Sequence, residues 1–161
     1  MNGTSFQSDI RYWLRKGNTV NYLLFWNIVV FLGLNILRLI AFLSKQPAPF
    51  VWTFDQLAIH APLDAFILKP WGLITYMFTH EEIFHVLFNM INLYLFGNLF
   101  RDFLGNKRVL PLYLLGGIAG GLLYLLSASL FAGYVGSAMV GASASIMCIL
   151  VAAATLMPNY E

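Results

Sequence analysis

Charged side chains are the scarcest feature of this sequence. Asp, Glu, Lys and Arg make up 10% of its 161 residues, against about 25% in an average soluble domain. That scarcity excludes an ordinary soluble globule. Cysteine is nearly absent as well: Cys148 stands alone, so no internal disulfide can form. Its place inside an apolar run marks it as an inert core thiol. A basic surplus is also missing. The net charge is +2, and the cations sit in short clusters beside apolar runs rather than along one face, which excludes nucleic acid as a partner. Nor is a cleavable leader expected, because the first apolar run, 21–43, is longer than the roughly 7–15 residues of a signal-peptide core and no small-residue cleavage site follows it.

What is present is hydrocarbon: 60% of residues are hydrophobic and the mean hydropathy is +0.74. The lipid bilayer is the expected surroundings of an all-α polytopic membrane protein. Four apolar runs, 21–43, 83–100, 109–131 and 137–157, read as spanning helices. At about 1.5 Å per residue even the shortest reaches about 27 Å, close to the thickness of the hydrocarbon layer. Residues 1–20 form a polar N-terminal segment, and 21–161 form the transmembrane domain. The stretch 44–82 is broken by Pro47, Pro49, Pro62 and Pro70 and carries Phe50, Trp52, Phe54, Phe66 and Trp71. Such aromatics favour the membrane interface, so this reads as an interfacial outer loop, with His60 as a loop histidine. Arg38 reads as a snorkelling cation.

Arg11, Arg15, Lys16, Arg101, Lys107 and Arg108 fall on the side of the N-terminus, and only Lys45 and Lys69 on the other. By the positive-inside rule the N-terminus is cytoplasmic. The third run carries Gly116, Gly117, Gly120 and Gly121, which predicts close backbone approach between helices.

Residues 79–92 interrupt this apolar pattern with His80, Glu81, Glu82, His85, Asn89 and Asn92. Each costs free energy in hydrocarbon unless partnered or wetted. In the orientation above they lie near the outer end of the second helix. A fourth helix starting at Ser137 runs inward and puts Ser143 about two turns below the outer surface, at similar depth, so one shared site is expected. His80, Glu81 and His85 resemble the zinc-protease pattern H-E-x-x-H, which makes an intramembrane zinc metalloprotease a rival reading. The histidines are five apart instead of four, which separates them by about 140° unless the helix begins between them. His85 and Asn89 are four apart, share a face, and offer N–H donors suited to an oxyanion, or equally to helix-to-helix hydrogen bonds. The hydroxyl of Ser143 needs a positioned base before it is a nucleophile.

Taken in order, Lys69-Pro70-Trp71, Leu73-Ile74-Thr75, Phe78-Thr79-His80, His85 with Asn89, Leu104-Gly105, and Gly141-Ala142-Ser143 resemble the rhomboid family of intramembrane serine proteases, from Asn21 to the end of the chain. The resemblance implies a rhomboid-like bundle with four helices present of an expected six, and a membrane-embedded outer loop between the first two. It implies Ser143 as the nucleophile, His85 and Asn89 as oxyanion donors beside the serine's own amide, and His80 and Gly141 as supporting residues. It implies transmembrane protein substrates cut near the outer face, no metal or other cofactor, and a bacterial inner membrane. Three positions depart from the family pattern: Gly72 stands where an arginine follows the tryptophan, Arg101 where an acidic residue is common, and Met147 where an aromatic is frequent. The family's general base is a histidine on the sixth helix, whereas His60, His80 and His85 all precede Ser143. The 161 residues alone are therefore expected to be inactive, as a fragment or a remnant. The alternative is a non-catalytic rhomboid-like protein that binds transmembrane clients.

Overall fold

The computed structural model describes residues 17–61, 63–131 and 138–156, and these are overwhelmingly helical. Helix α1, Thr19–Leu43, opens on Asn18, whose side chain accepts the Val20 N–H. It closes where Lys45 turns left-handed at φ 56°, the Gln46 N–H reaches back to the Ala41 carbonyl at 3.0 Å, and Pro47 cannot continue the turn. Helix α5, Ile83–Leu104, ends on Gly105 at φ +92°. A 3₁₀ turn, Asn106–Arg108, then feeds α6, Val109–Leu130. Helix α7 is Ser143–Leu156.

Between α1 and α5 the chain folds into short pieces: α2, Ala48–Leu57; β1, Ile59–His60; α3, Leu63–Leu68; α4, Gly72–Thr75; and a 3₁₀ turn, Tyr76–Phe78. Side chains bind these together. Asp55 pairs with Lys69 and, at 3.2 Å, with His60. The indole N–H of Trp71 donates to the Gln56 carbonyl at 2.9 Å, and the Thr75 hydroxyl to that of Leu57 at 2.9 Å. Arg38 lies over the Phe50 ring at 5.6 Å, a cation–π contact that keeps its charge at the end of α1. Strand β2, Ala138–Met139, pairs antiparallel with β1, Ile59 opposite Met139 and His60 opposite Ala138.

Among the described residues three helices are long and apolar enough to cross a membrane: Thr19–Leu43, Ile83–Leu104 and Asn106–Leu130. The fourth apolar run behaves differently at its start. A helix from residue 137 was the expectation; instead 138–139 are extended and paired, Gly141 sits at φ +116°, and helix begins only at Ser143. A strand pair and a left-handed glycine each interrupt the helical hydrogen-bond ladder. Ser143 therefore stands at the head of its helix, not two turns along it.

Lipid offers no hydrophobic drive for helix association, so close contact and hydrogen bonds must hold the bundle. The glycines of α6 provide the contact. A Cβ on Gly116 would collide with Cys148, and one on Gly120 with Ala144, both on α7. On Gly117 it would strike Met77 and Ser145, and on Gly121 it would come within 2.7 Å of Leu73. One pair thus seats α7, and the other admits the 3₁₀ turn and α4. At the far end α1 is held by polar bonds: Asn18 to Asn98 at 3.2 Å, and the Thr19 N–H to Asn106 Oδ1 at 2.8 Å.

Candidate functional site

The residues singled out in the sequence converge where the 3₁₀ turn, α5 and the chain entering α7 meet. Each of the two residues before Ser143 has its amide tied to that turn or to the residues just after it. The Gly141 N–H donates to the Tyr76 carbonyl at 2.8 Å, and the Ala142 N–H points to His80 Nε2 at 3.4 Å. The Ala142 carbonyl accepts the Ile146 N–H at 3.0 Å, which makes Ala142 the cap and Ser143 the first helical residue. First-turn N–H groups have no partner inside their own helix and carry the positive end of its dipole. Ser143 is exposed, while Ala142 and Ser145 are buried. Among the described residues the Ser143 side chain makes no hydrogen bond.

His80 is 1% exposed. Its Nε2 faces two donors, the Asn89 amide at 3.0 Å and the Ala142 N–H, so this nitrogen carries the lone pair and the ring proton belongs on Nδ1. No hydrogen-bond partner for Nδ1 is found among the described residues. Burial first, and then the neighbouring His85, lower the His80 pKa to about 4, while the Phe78 backbone pulls weakly the other way without bonding Nδ1. His80 is thus a neutral acceptor at physiological pH, and it orients the Asn89 carboxamide.

His85 is half-buried and meets His80 edge to face, ring centroids 5.1 Å apart. It lies directly over Gly141: a Cβ there would stand 2.6 Å from His85 Nε2 and 3.8 Å from Asn89 Nδ2. Gly141 is therefore required twice, for its positive φ and for the space the imidazole fills. His85, Asn89, His80 and Gly141 form one contiguous cluster immediately ahead of Ser143.

Some expectations change in three dimensions. Helix α5 starts at Ile83, between the two histidines, so the angular separation expected along a single helix does not apply and the rings touch. Among the described residues no three His, Cys, Asp or Glu side chains converge as metal ligands would. Asn92, grouped by spacing with His85 and Asn89, spends its amide on the Phe88 carbonyl one turn back at 2.8 Å. His60 bonds the Asp55 carbonyl at 2.9 Å, within the segment between α1 and α5. Gly72 is explained by fit, since a Cβ there would lie 2.7 Å from the Ala58 carbonyl oxygen.

Two positions were not visible in the sequence. Tyr76 holds the Gly141 amide through its carbonyl, while its hydroxyl donates to the Gly117 carbonyl at 2.6 Å. Tyr113 donates to the Met77 carbonyl at 2.9 Å and receives the Asn27 amide at 3.3 Å. Their only sequence signal is a hydroxyl within an apolar stretch, which buried tyrosines must satisfy.

A family model described as Rhomboid domain matches residues 68–161. The match takes in α4 through α7 and the whole polar cluster, and it leaves α1 and α2 outside. No curated protein and no solved structure matches the chain.

Proposed function

The chain belongs to the rhomboid family, and from that membership we propose that it carries the nucleophile and oxyanion site of an intramembrane serine endopeptidase acting on transmembrane proteins. The observation that carries this reading is the contact of His85 with Gly141, which sets an imidazole and the Asn89 amide against the turn that presents Ser143. In the proposed reaction the Ser143 oxygen attacks a peptide carbonyl, and its proton passes to a base. The carbonyl oxygen becomes an anion held by His85, Asn89 and the Ser143 amide at the positive end of α7. Expulsion of the amine leaves an acyl-enzyme, which water hydrolyses. His80 acts through Asn89 as a positioning residue. Cleavage near the outer face, a cytoplasmic N-terminus and a bacterial inner membrane belong to the same proposal, as does the placement of 44–82 in the outer interface.

Among the described residues no histidine is left free to act as the proposed base. His60 is engaged with Asp55, the acceptor nitrogen of His80 is engaged with Asn89 and Ala142, and His85 serves the oxyanion. The 161 residues alone are therefore expected to react poorly, and a histidine supplied by a further helix is expected to activate Ser143. A fluorophosphonate probe tests both statements. In a longer chain with such a helix, labelling should be lost on Ser143→Ala and should exceed that of the 161 residues by about 100-fold or more. Equal labelling of the two chains would overturn the assignment of the base, and labelling that survives Ser143→Ala would overturn the nucleophile. The second reading, a non-catalytic client-binding protein, is favoured by the Ser143 side chain, which has no hydrogen-bond partner among the described residues. It predicts no labelling in either chain.

A further inference from the structure

Away from the polar cluster, a groove of about 600 Å³ runs along α1. Thr19, Tyr22, Leu23, Trp26 and Val30 form one wall at helical spacing, and Leu110 of α6 lies opposite. Leu57, Ile74 and Phe78 close its inner end. From Thr19 to Val30 the wall is about 16 Å long at 1.5 Å per residue, half of a hydrocarbon layer about 30 Å thick. The groove's wall on α1 is therefore about one leaflet deep and begins at the α1 N-terminus.

Its lining is chemically apolar. The hydroxyl of Thr75 is given to the Leu57 carbonyl, that of Thr79 to the Thr75 carbonyl at 3.0 Å, and that of Thr19 to the Asn106 carbonyl at 3.3 Å. A polar ligand would find few free partners here. An α-helix about 10 Å across would need roughly twice the volume over the same length. A single hydrocarbon chain fits both the length and the chemistry. At the Thr19 end the contact between Thr19 and Asn106 pins the α5–α6 turn to α1, and Lys107 and Arg108, both exposed, come immediately before the first turn of α6 that holds Leu110. Arg108 gives one guanidinium nitrogen to the Leu104 carbonyl at 2.8 Å, and the remaining donors of these two exposed cations, next in sequence to a lining residue, complement a lipid phosphate above its chain.

We propose that this groove is a binding site for an anionic phospholipid of the leaflet facing the α1 N-terminus, one acyl chain lying between α1 and α6 and the headgroup meeting Lys107 and Arg108. The lipid fills the gap that separates α1 from the α4–α6 side of the bundle.

Native mass spectrometry of the chain, extracted from vesicles of equal phosphatidylglycerol and phosphatidylcholine, tests the site. The wild type should retain one phosphatidylglycerol in preference to phosphatidylcholine. Ile74→Trp, which fills the groove from a half-exposed position, should lose both lipids. Leu39→Trp, elsewhere on the exposed surface of α1, should lose neither and controls for added bulk. Lys107→Gln with Arg108→Gln should keep a chain bound but lower the phosphatidylglycerol preference by about fivefold per cation removed. Retention by Ile74→Trp equal to the wild type would overturn the groove as the site. Equal uptake of the two lipids by the wild type would overturn the headgroup assignment, and a protein helix retained in place of lipid would overturn the choice of ligand. A thermal-unfolding midpoint for each variant distinguishes a filled groove from a misfolded chain.

Discussion

The two sides of this bundle are held together by different means. Helix α7 meets α6 along glycines, with no room for a single methyl at Gly116 or Gly120. Helix α1 meets its neighbours through asparagines at its first turns, through Asn27 and through Val20 against Gly97 of α5, and from Thr19 to Val30 it lines a groove. Gly33, midway along α1, has nothing within 4 Å of where its Cβ would be. Glycine in one helix is a requirement of shape; in the other it is a vacancy. The proposed reaction centre lies on the side fixed by shape, where a small displacement would separate the nucleophile from its oxyanion donors.

Substitutions at the two kinds of glycine should break the molecule in one place and leave it intact in the other. Gly120→Leu forces side-chain atoms into Ala144 and should cost roughly 3 kcal/mol or more, read as loss of the folded fraction in a micelle unfolding titration. In a chain that carries the proposed base, Asn89→Ala should lower turnover by about 100- to 1000-fold with little change in KM; unchanged kcat would reduce Asn89 to a packing residue. The pH dependence comes next in size. Folding lowers the His80 pKa from 6.5 to about 4, so the unfolded chain binds the extra proton between those values and stability falls as pH drops through that window. The change should be on the order of 1–3 kcal/mol, and His80→Gln should flatten it. A slope of the opposite sign would mean that the ring is charged in the folded state. The smallest effect belongs to Gly33→Leu, which should shift stability by about 1 kcal/mol or less, with improved helix propensity favouring the variant.

Much of this arrangement was legible from residue pattern, and the rest was lost for identifiable reasons. Apolar run length located α1, α5 and α6, because a bilayer sets the length of a spanning helix. The paired glycines announced tight packing, and the order of His80, His85, Asn89 and Gly141 pointed to one cluster. Hydropathy could not reveal the true start of α7, since a strand pair and a left-handed glycine are as apolar as helix. The same limit hid the fold of residues 48–78, whose register depends on tertiary hydrogen bonds from Trp71 and Thr75. Asn92 was grouped with the cluster by spacing alone, and periodicity says nothing about whether an amide satisfies a neighbour or its own helix. Tyr76 was invisible because its backbone carbonyl, not its side chain, touches the Gly141 turn.

The two-residue ladder between Ile59 and Met139 has a mechanical corollary. Met139 is two places before the pivot at Gly141, so a pull that peels the α2–α4 segment from the bundle loads the serine's own tether. A guest inserting beneath that segment would be felt at Ser143 through main chain alone, with no relay of side chains needed.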